Sequence, residues 1–294
     1  MAGIPVLSVP LTIMGRMPPA RPPFRRRKLA RRIRRMREAA GMTIEDAAAA
    51  LDKHRNSLYR LEAGETKLDV HLARSMMDVY DHYDPDLVDQ VREALRPGWW
   101  TAFGLRDMGY VDVETEASRV WELALVLIPG LLQTESYART VLEANSLKRT
   151  KPELATQVKV RMIRQQRLTS EGNPLRLVAL IDESALWQRI GGAEVMRDQL
   201  DHLVMVAELD TVTLRVLPRD LGAHAGQEGA FALLEFSDAE DPSLLYVSHA
   251  TGSLHIEDPE QVRRARMRID HLLVQALGPE DSIALIERIL AERE

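Results

Sequence analysis

Residues 29–64 read LARRIRRMREAAGMTIEDAAAALDKHRNSLYRLEAG, and their spacing decides the fold of the N-terminal part of the chain. Leu29, Ile33, Met36 and Ala40 recur on one face of a helix, while arginines fill its other faces. Gly41 ends that helix, and Thr43 with Asp46 has the spacing of a capping box that starts the next. The pattern predicts a short helix over 43–51, a break at Asp52-Lys53-His54, and a second short helix over 55–63. Two short helices about a tight turn, the second one cationic, are the geometry that lays a helix in the DNA major groove.

Working outward, residues 68–83 and 87–95 carry two further amphipathic patterns, separated at Asp84-Pro85 and stopped by Pro97-Gly98. Five helices then make a helix-turn-helix domain over 27–96. Residues 1–26 read as a disordered basic arm, with Pro10, Pro18, Pro19, Pro22 and Pro23 crowded into its later part. The apolar opening MAGIPVLSVPLTIM lacks a charged start, is broken by Pro5 and Pro10, and precedes no small-residue cleavage site, so no secretory signal is expected. No run of eighteen apolar residues exists, which leaves no candidate membrane span. The chain has no cysteine, which excludes disulfides, thiolate nucleophiles and cysteine-held zinc and suits a reducing cytoplasm, beside the nucleoid if DNA is the target.

Charge is strongly polarised. Residues 1–37 hold eleven Lys or Arg and no acid; of 39 cations and 44 acids in all, the remainder keeps 28 cations against 44 acids. A basic end of this kind is expected to meet phosphate, while the acidic body stays off non-specific DNA.

Residues 97–294 mix helix and strand. Helical patterns cover 114–120, 135–145, 153–169, 193–207, 259–277 and 279–293, and strand-like runs occur at 175–181, 211–217, 230–236 and 244–248. A glycine-rich loop (222–229) between the second and third runs reads as a hairpin turn. The expected fold class is therefore α+β and mostly helical: the five-helix domain, then an α+β regulatory or dimerisation domain. Its sheet would be small and mainly antiparallel, with three or four strands and helices on one side.

The 29–64 stretch resembles the Xre family of repressor-like regulators through Thr43 and Glu45, the small Ala48, apolar Leu51, Leu58 and Leu61, and the closing Glu62 and Gly64. The resemblance implies an ion pair between Arg37 and Glu62, tying the first helix to the end of the recognition helix. It implies base contacts from Arg55, Asn56, Tyr59 and Arg60, with Ser57 nearby. Arginine has the donor pair for guanine O6 and N7, and asparagine matches adenine N6 and N7. Thr43, Lys53, Arg34 and Lys67 are placed for phosphate. The family's usual Gln after the Thr is Ile44, its turn Gly is Asp52, and its Ser or Thr cap is His54, so a contact is lost and both the turn and the cap are weaker.

In the second part, PGLLQT at 129–134 with Tyr137 and Ala138, RMIRQQR at 161–167, Gly191-Gly192, Gln199-Leu200 and GAFALLEF at 229–236 recur in order. They resemble an actinobacterial family of Xre-type regulators whose C-terminal domain has no assigned activity. That resemblance implies antitoxin-like behaviour and a small partner protein encoded nearby. Arg161, Arg164 and Arg167 share one helix stripe, which suits buttressing salt bridges or an anion site. His224, His249 and His255 invite a metal, but none has a second ligand at i+2 or i+4 on a regular element and no HExxH exists. Asp182 beside Glu183 and Ser184 reads as a helix cap rather than a catalytic carboxylate. No catalytic residue, metal or cofactor is expected. The reading is a transcription regulator acting on double-stranded DNA as a homodimer. The alternative is a small-molecule effector in a pocket near Trp99-Trp100 or Trp121.

Overall fold

The computed structural model describes residues 22–105, 109–145 and 150–293. Most of the expected arm, residues 1–21, lies outside the described residues. Pro22 and Pro23 lead into helix α1 (Phe24–Ala39), which thus begins three residues ahead of the expected boundary. Then follow α2 (Ile44–Ala50), α3 (Arg55–Glu62), α4 (Val70–Val79) and α5 (Leu87–Leu95). Local chemistry sets the junctions. The Thr43 hydroxyl accepts the Asp46 N–H, His54 Nδ1 accepts the Asn56 N–H, and Asp69 accepts those of His71 and Leu72. The Asp46 carboxylate accepts a hydrogen bond from the Thr43 hydroxyl at 2.6 Å, in place of the reciprocal bond that a full capping box would make. Leu29, Ile33 and Met36 of α1 close one core with Ala47, Ala48, Leu58, Leu61, Met76 and Leu87.

The rest is an α+β region around a six-stranded mixed sheet: β1 (Arg119–Ala124), β2 (Arg176–Asp182), β3 (Val212–Leu217), β4 (Phe231–Glu235), β5 (Leu244–His249) and β6 (Gly252–Ile256). The order is β3-β2-β1-β4-β5-β6. The β3-β2-β1 half is parallel and the β1-β4-β5-β6 half antiparallel. Helix α6 (Gly109–Glu116) precedes β1, and α7 (Glu135–Ala144) and α8 (Lys151–Gln165) cross from β1 to β2. Helices α9 (Glu183–Trp187) and α10 (Ala193–Val206) cross from β2 to β3, and α11 (Pro259–Gln275) and α12 (Pro279–Ala291) end the chain.

Both faces of the sheet are covered. Val120, Leu177, Leu214 and Leu234 pack with Tyr137, Leu200, Leu203 and Ile286 on one side. Leu123, Leu180, Leu233 and Leu245 meet Ala265, Ile269 and Leu272 of α11 on the other. Strands buried on two faces read as continuous apolar runs, as in RLVALID of β2.

The class is as expected, but the sheet is larger than the three or four mainly antiparallel strands predicted, and helices cover both sides. Residues 117–120 are not helical: α6 stops at Glu116 and Arg119 opens β1. Strand β3 lies at the far edge beside β2, so the 222–229 loop is a crossing over the end of the sheet and not a hairpin turn. The two parts meet at α1. Phe24 is buried in the core of the α+β region, stacked on Phe236 with ring centroids 4.3 Å apart.

Candidate DNA-binding surface

Helices α2 and α3 meet through Ala47 and Ala48, both essentially buried, against Leu58. A larger side chain at Ala48 would force them apart. The turn between them is held by the Lys53 N–H donating to Ala48 O at 2.8 Å, with Asp52 in the left-handed region at φ +52°. Gly64 follows α3 at φ +72°, and a Cβ there would come within 3.3 Å of the Arg27 Cα. The turn after α3 therefore rests directly on the α1 backbone.

With its apolar side turned inward, α3 presents Arg55, Asn56, Ser57, Tyr59 and Arg60 to solvent. Tyr59 is 61% exposed, a large aromatic surface on the outer face of the helix. Lys53 and Thr43 lie at the neighbouring helix starts, and Lys67 follows the turn; all three are exposed. The Thr43 hydroxyl is engaged as a cap, Arg55 pairs with Glu45 of α2, and Arg60 lies 3.3 Å from Glu65. Arg34 points outward to Glu38 at 2.8 Å, which raises the arginine and lowers the carboxyl. These are exposed pairs that bind weakly and exchange readily for another anion.

Beneath this surface, Arg37 donates to both Glu62 oxygens at 2.7 and 2.8 Å and to Met42 O at 2.8 Å. The pair is nearly buried, and hydrogen bonding to Glu62 holds Arg37 above its ordinary value. Burial, with the Glu62 charge beside it, pushes the Tyr80 hydroxyl up to about 12.

The other α1 cations behave differently from the sequence expectation. Arg25 pairs with Glu116 at 2.6 Å, Arg27 with Glu257, Lys28 with Asp241 at 2.7 Å, Arg31 with Asp241 at 3.1 Å, and Arg35 with Glu240 at 2.8 Å. Arg32 pairs with Asp84. Carboxylates of the C-terminal region, not solvent, face most of the basic stripe. The acid-rich run Ser237–Ala239 to Asp241 (SDAED) was the signal in the sequence that matched it.

In the α+β region the motif residues converge on one turn. Gln133 donates to Ile128 O at 2.7 Å, Gln165 to Gly130 O and Gln133 O, and Gln199 to Leu132 O at 2.7 Å while accepting the Thr134 N–H. Arg161 donates to Gln133 at 2.6 Å. Arg164 forms a two-bond pair with buried Glu114, and Arg167 donates to the carbonyls of Glu114 and Ala117. Burial works against the Arg164 charge, but Glu114 outweighs it and holds the guanidinium above its usual value. This arginine stripe braces helices and strands together.

His224, His249 and His255 are distributed over a loop, the end of β5 and β6. Gly226 N–H donates to His224 Nδ1 at 3.1 Å, which leaves Nε2 to donate to Asp182 at 3.2 Å. The Ser184 hydroxyl donates its hydrogen bond toward Asp182, with Leu125 O also within reach at 3.1 Å, and Asp182 caps α9. Both His224 ring nitrogens are engaged, by Gly226 and Asp182 and not by Ser184, so the three side chains do not line up as nucleophile, imidazole base and orienting carboxylate. Among the described residues no group of three or more His, Asp or Glu could hold a metal ion, and no helix is long and apolar enough to cross a membrane. Two surface cavities, of about 360 and 460 Å³, are lined by neither Trp99, Trp100 nor Trp121. Trp100 packs with Val111 and Val160, and Trp121 lies under Arg266 at 4.0 Å.

A helix-turn-helix domain model matches residues 28–91, and the model of a domain of unknown function, DUF5753, matches residues 108–288. No curated protein and no solved structure matches the chain.

Proposed function

The chain belongs to the DUF5753 family and carries a helix-turn-helix domain ahead of that region, and on this basis we propose a sequence-specific transcription regulator that reads double-stranded DNA through α3. The observation that carries the proposal is the outer face of α3. Arg55, Asn56, Ser57, Tyr59 and Arg60 stand exposed on a helix whose other side is fixed by Leu58, Leu61 and the Arg37–Glu62 pair. Lys53, Thr43, Arg34 and Lys67 supply the surrounding phosphate contacts.

The regulator acts as a homodimer, with two recognition helices in successive major grooves about 34 Å apart. It is an antitoxin-like protein of the Xre type that works in the cytoplasm, and its C-terminal region receives a small partner protein. Trp100 packs with Val111 and Val160 and Trp121 lies under Arg266, so these side chains line neither of the two cavities described above.

Arg55→Ala tests the reading. Binding measured on a selected site and on random duplex should show a loss of about 1–3 kcal/mol on the selected site only, with relaxed preference at one base pair. An equal loss on both duplexes would assign Arg55 to phosphate and remove the base-reading role.

A further inference from the structure

We infer that α1 is an ionic latch, in which acids of the C-terminal region neutralise its cationic stripe, hold the helix-turn-helix in one orientation and withhold those cations from DNA. The inference rests on the DNA-binding reading above and adds how the C-terminal region sets affinity.

Phe24, Arg27, Lys28, Arg31 and Arg35 recur at spacings of three and four, so they share one face of α1. Leu29, Ile33 and Met36 occupy the opposite face and build the helix-turn-helix core. The helix is therefore a wall common to both parts of the chain. Asp241 anchors it: its side chain is fully buried, and Lys28 and Arg31 both reach it. A buried carboxylate without its cations is costly, so Asp241 is stable in place only while α1 is seated.

Contacts weaken along the helix. At its start Phe24 is held by Phe236 and by its N–H bond to Asp112 at 2.7 Å. At its far end Arg35 pairs with Glu240, beside a cleft of about 460 Å³ lined by Arg32, Arg35, Tyr83, Asp84, Asp238 and Glu240. Rocking about Phe24 would widen this cleft and release Arg35 first, then Arg31 and Lys28 from Asp241. While seated, those cations have acids well inside one Debye length, which cancels their field toward phosphate.

The test titrates salt against binding of the full chain to a random-sequence duplex. The triple variant Asp238→Asn, Glu240→Gln, Asp241→Asn takes the acid partners from Lys28 and Arg35 and leaves Arg31 with Glu257 alone. Its log–log salt slope should steepen by about 2–3, equivalent to roughly 40-fold more affinity lost between 50 and 200 mM salt than in the wild type. A control triple, Glu171→Gln, Glu208→Gln, Asp210→Asn, removes as much charge near the β3 side of the molecule and should leave the slope unchanged. Asp241 is buried, so the double variant Asp238→Asn, Glu240→Gln is measured as well and should steepen the slope by about 1. Small-angle scattering without DNA should show a larger radius of gyration for the triple variant than for the control. Unaltered slopes in the triple and double variants, a matching change in the control, or an unaltered radius overturns the latch. Absence of binding by every form, wild type included, removes the DNA reading itself and the function of the latch with it.

Discussion

Glu122 stands on β1 between Ala179 of β2 and Ala232 of β4, whose small side chains leave it room on the sheet face shared with Val120. Burial, with the Glu114 charge adding, pushes its carboxyl from 4.5 up to about 7, against the opposing pull of Arg164 and Arg161. The unfolded chain loses this proton near pH 4.5, and the folded chain holds it to about 7. Between those values the folded state binds more protons, so stability falls as pH rises through the window and levels off above it. Urea unfolding at pH 5 and pH 8 should differ by on the order of 2 kcal/mol from this group, after allowance for its partial exposure. Glu122→Gln should flatten that difference. A variant that keeps the full pH dependence would assign it to other groups. Nothing in RVWELA announces this residue, because its isolation depends on neighbours more than fifty residues away.

Among the elements, α2 and α3 are the ones whose geometry depends least on the rest of the chain. Ala48→Leu should overpack their crossing, at a cost of about 1–3 kcal/mol by chemical denaturation, and should tilt α3 out of register with DNA. Ala49→Leu, one position along and exposed, should leave both stability and binding near wild type. Equal effects of the two substitutions would show that the crossing tolerates volume. These helices were legible because their determinants are local: the Thr43 cap, Asp52 at positive φ and Leu58 facing Ala48. The strands were legible where they are rich in β-branched and apolar residues, as in β2 and β3. Glu, Leu and Ala in β1 favour helix, and pairing with β2 and β4 overrides that preference. Strand β6, with Gly252, Ser253 and exposed Leu254, has the composition of a loop and is fixed by its register with β5. The 222–229 loop looked like a hairpin turn because sequence order says nothing about which strands lie between its ends.

At the scale of the molecule, the polarised charge was plain in the sequence, but a count cannot tell whether an arginine will meet a phosphate or a carboxylate. The structure joins RRRKLARRIRR to the acids at 238, 240, 241 and 257, so the charge surplus holds the chain to itself. Phe24 gives that junction an apolar component: it is 1% exposed, belongs to the C-terminal core and rides on a helix of the N-terminal core. Two cores joined through one helix should unfold together while the junction contributes more than the difference in their stabilities. Scanning calorimetry of the wild type should therefore show a single transition at low salt. Phe24→Ala removes a stacked, buried ring whose truncation costs about 3–5 kcal/mol. Among the surviving ion pairs those of Arg25 and Arg35 are partly exposed and individually weak, while Asp241 stays buried between Lys28 and Arg31. The variant should unfold in two transitions, and raising the salt should move them further apart. A single transition, merely lower in temperature, would mean that the ion pairs alone keep the two cores cooperative.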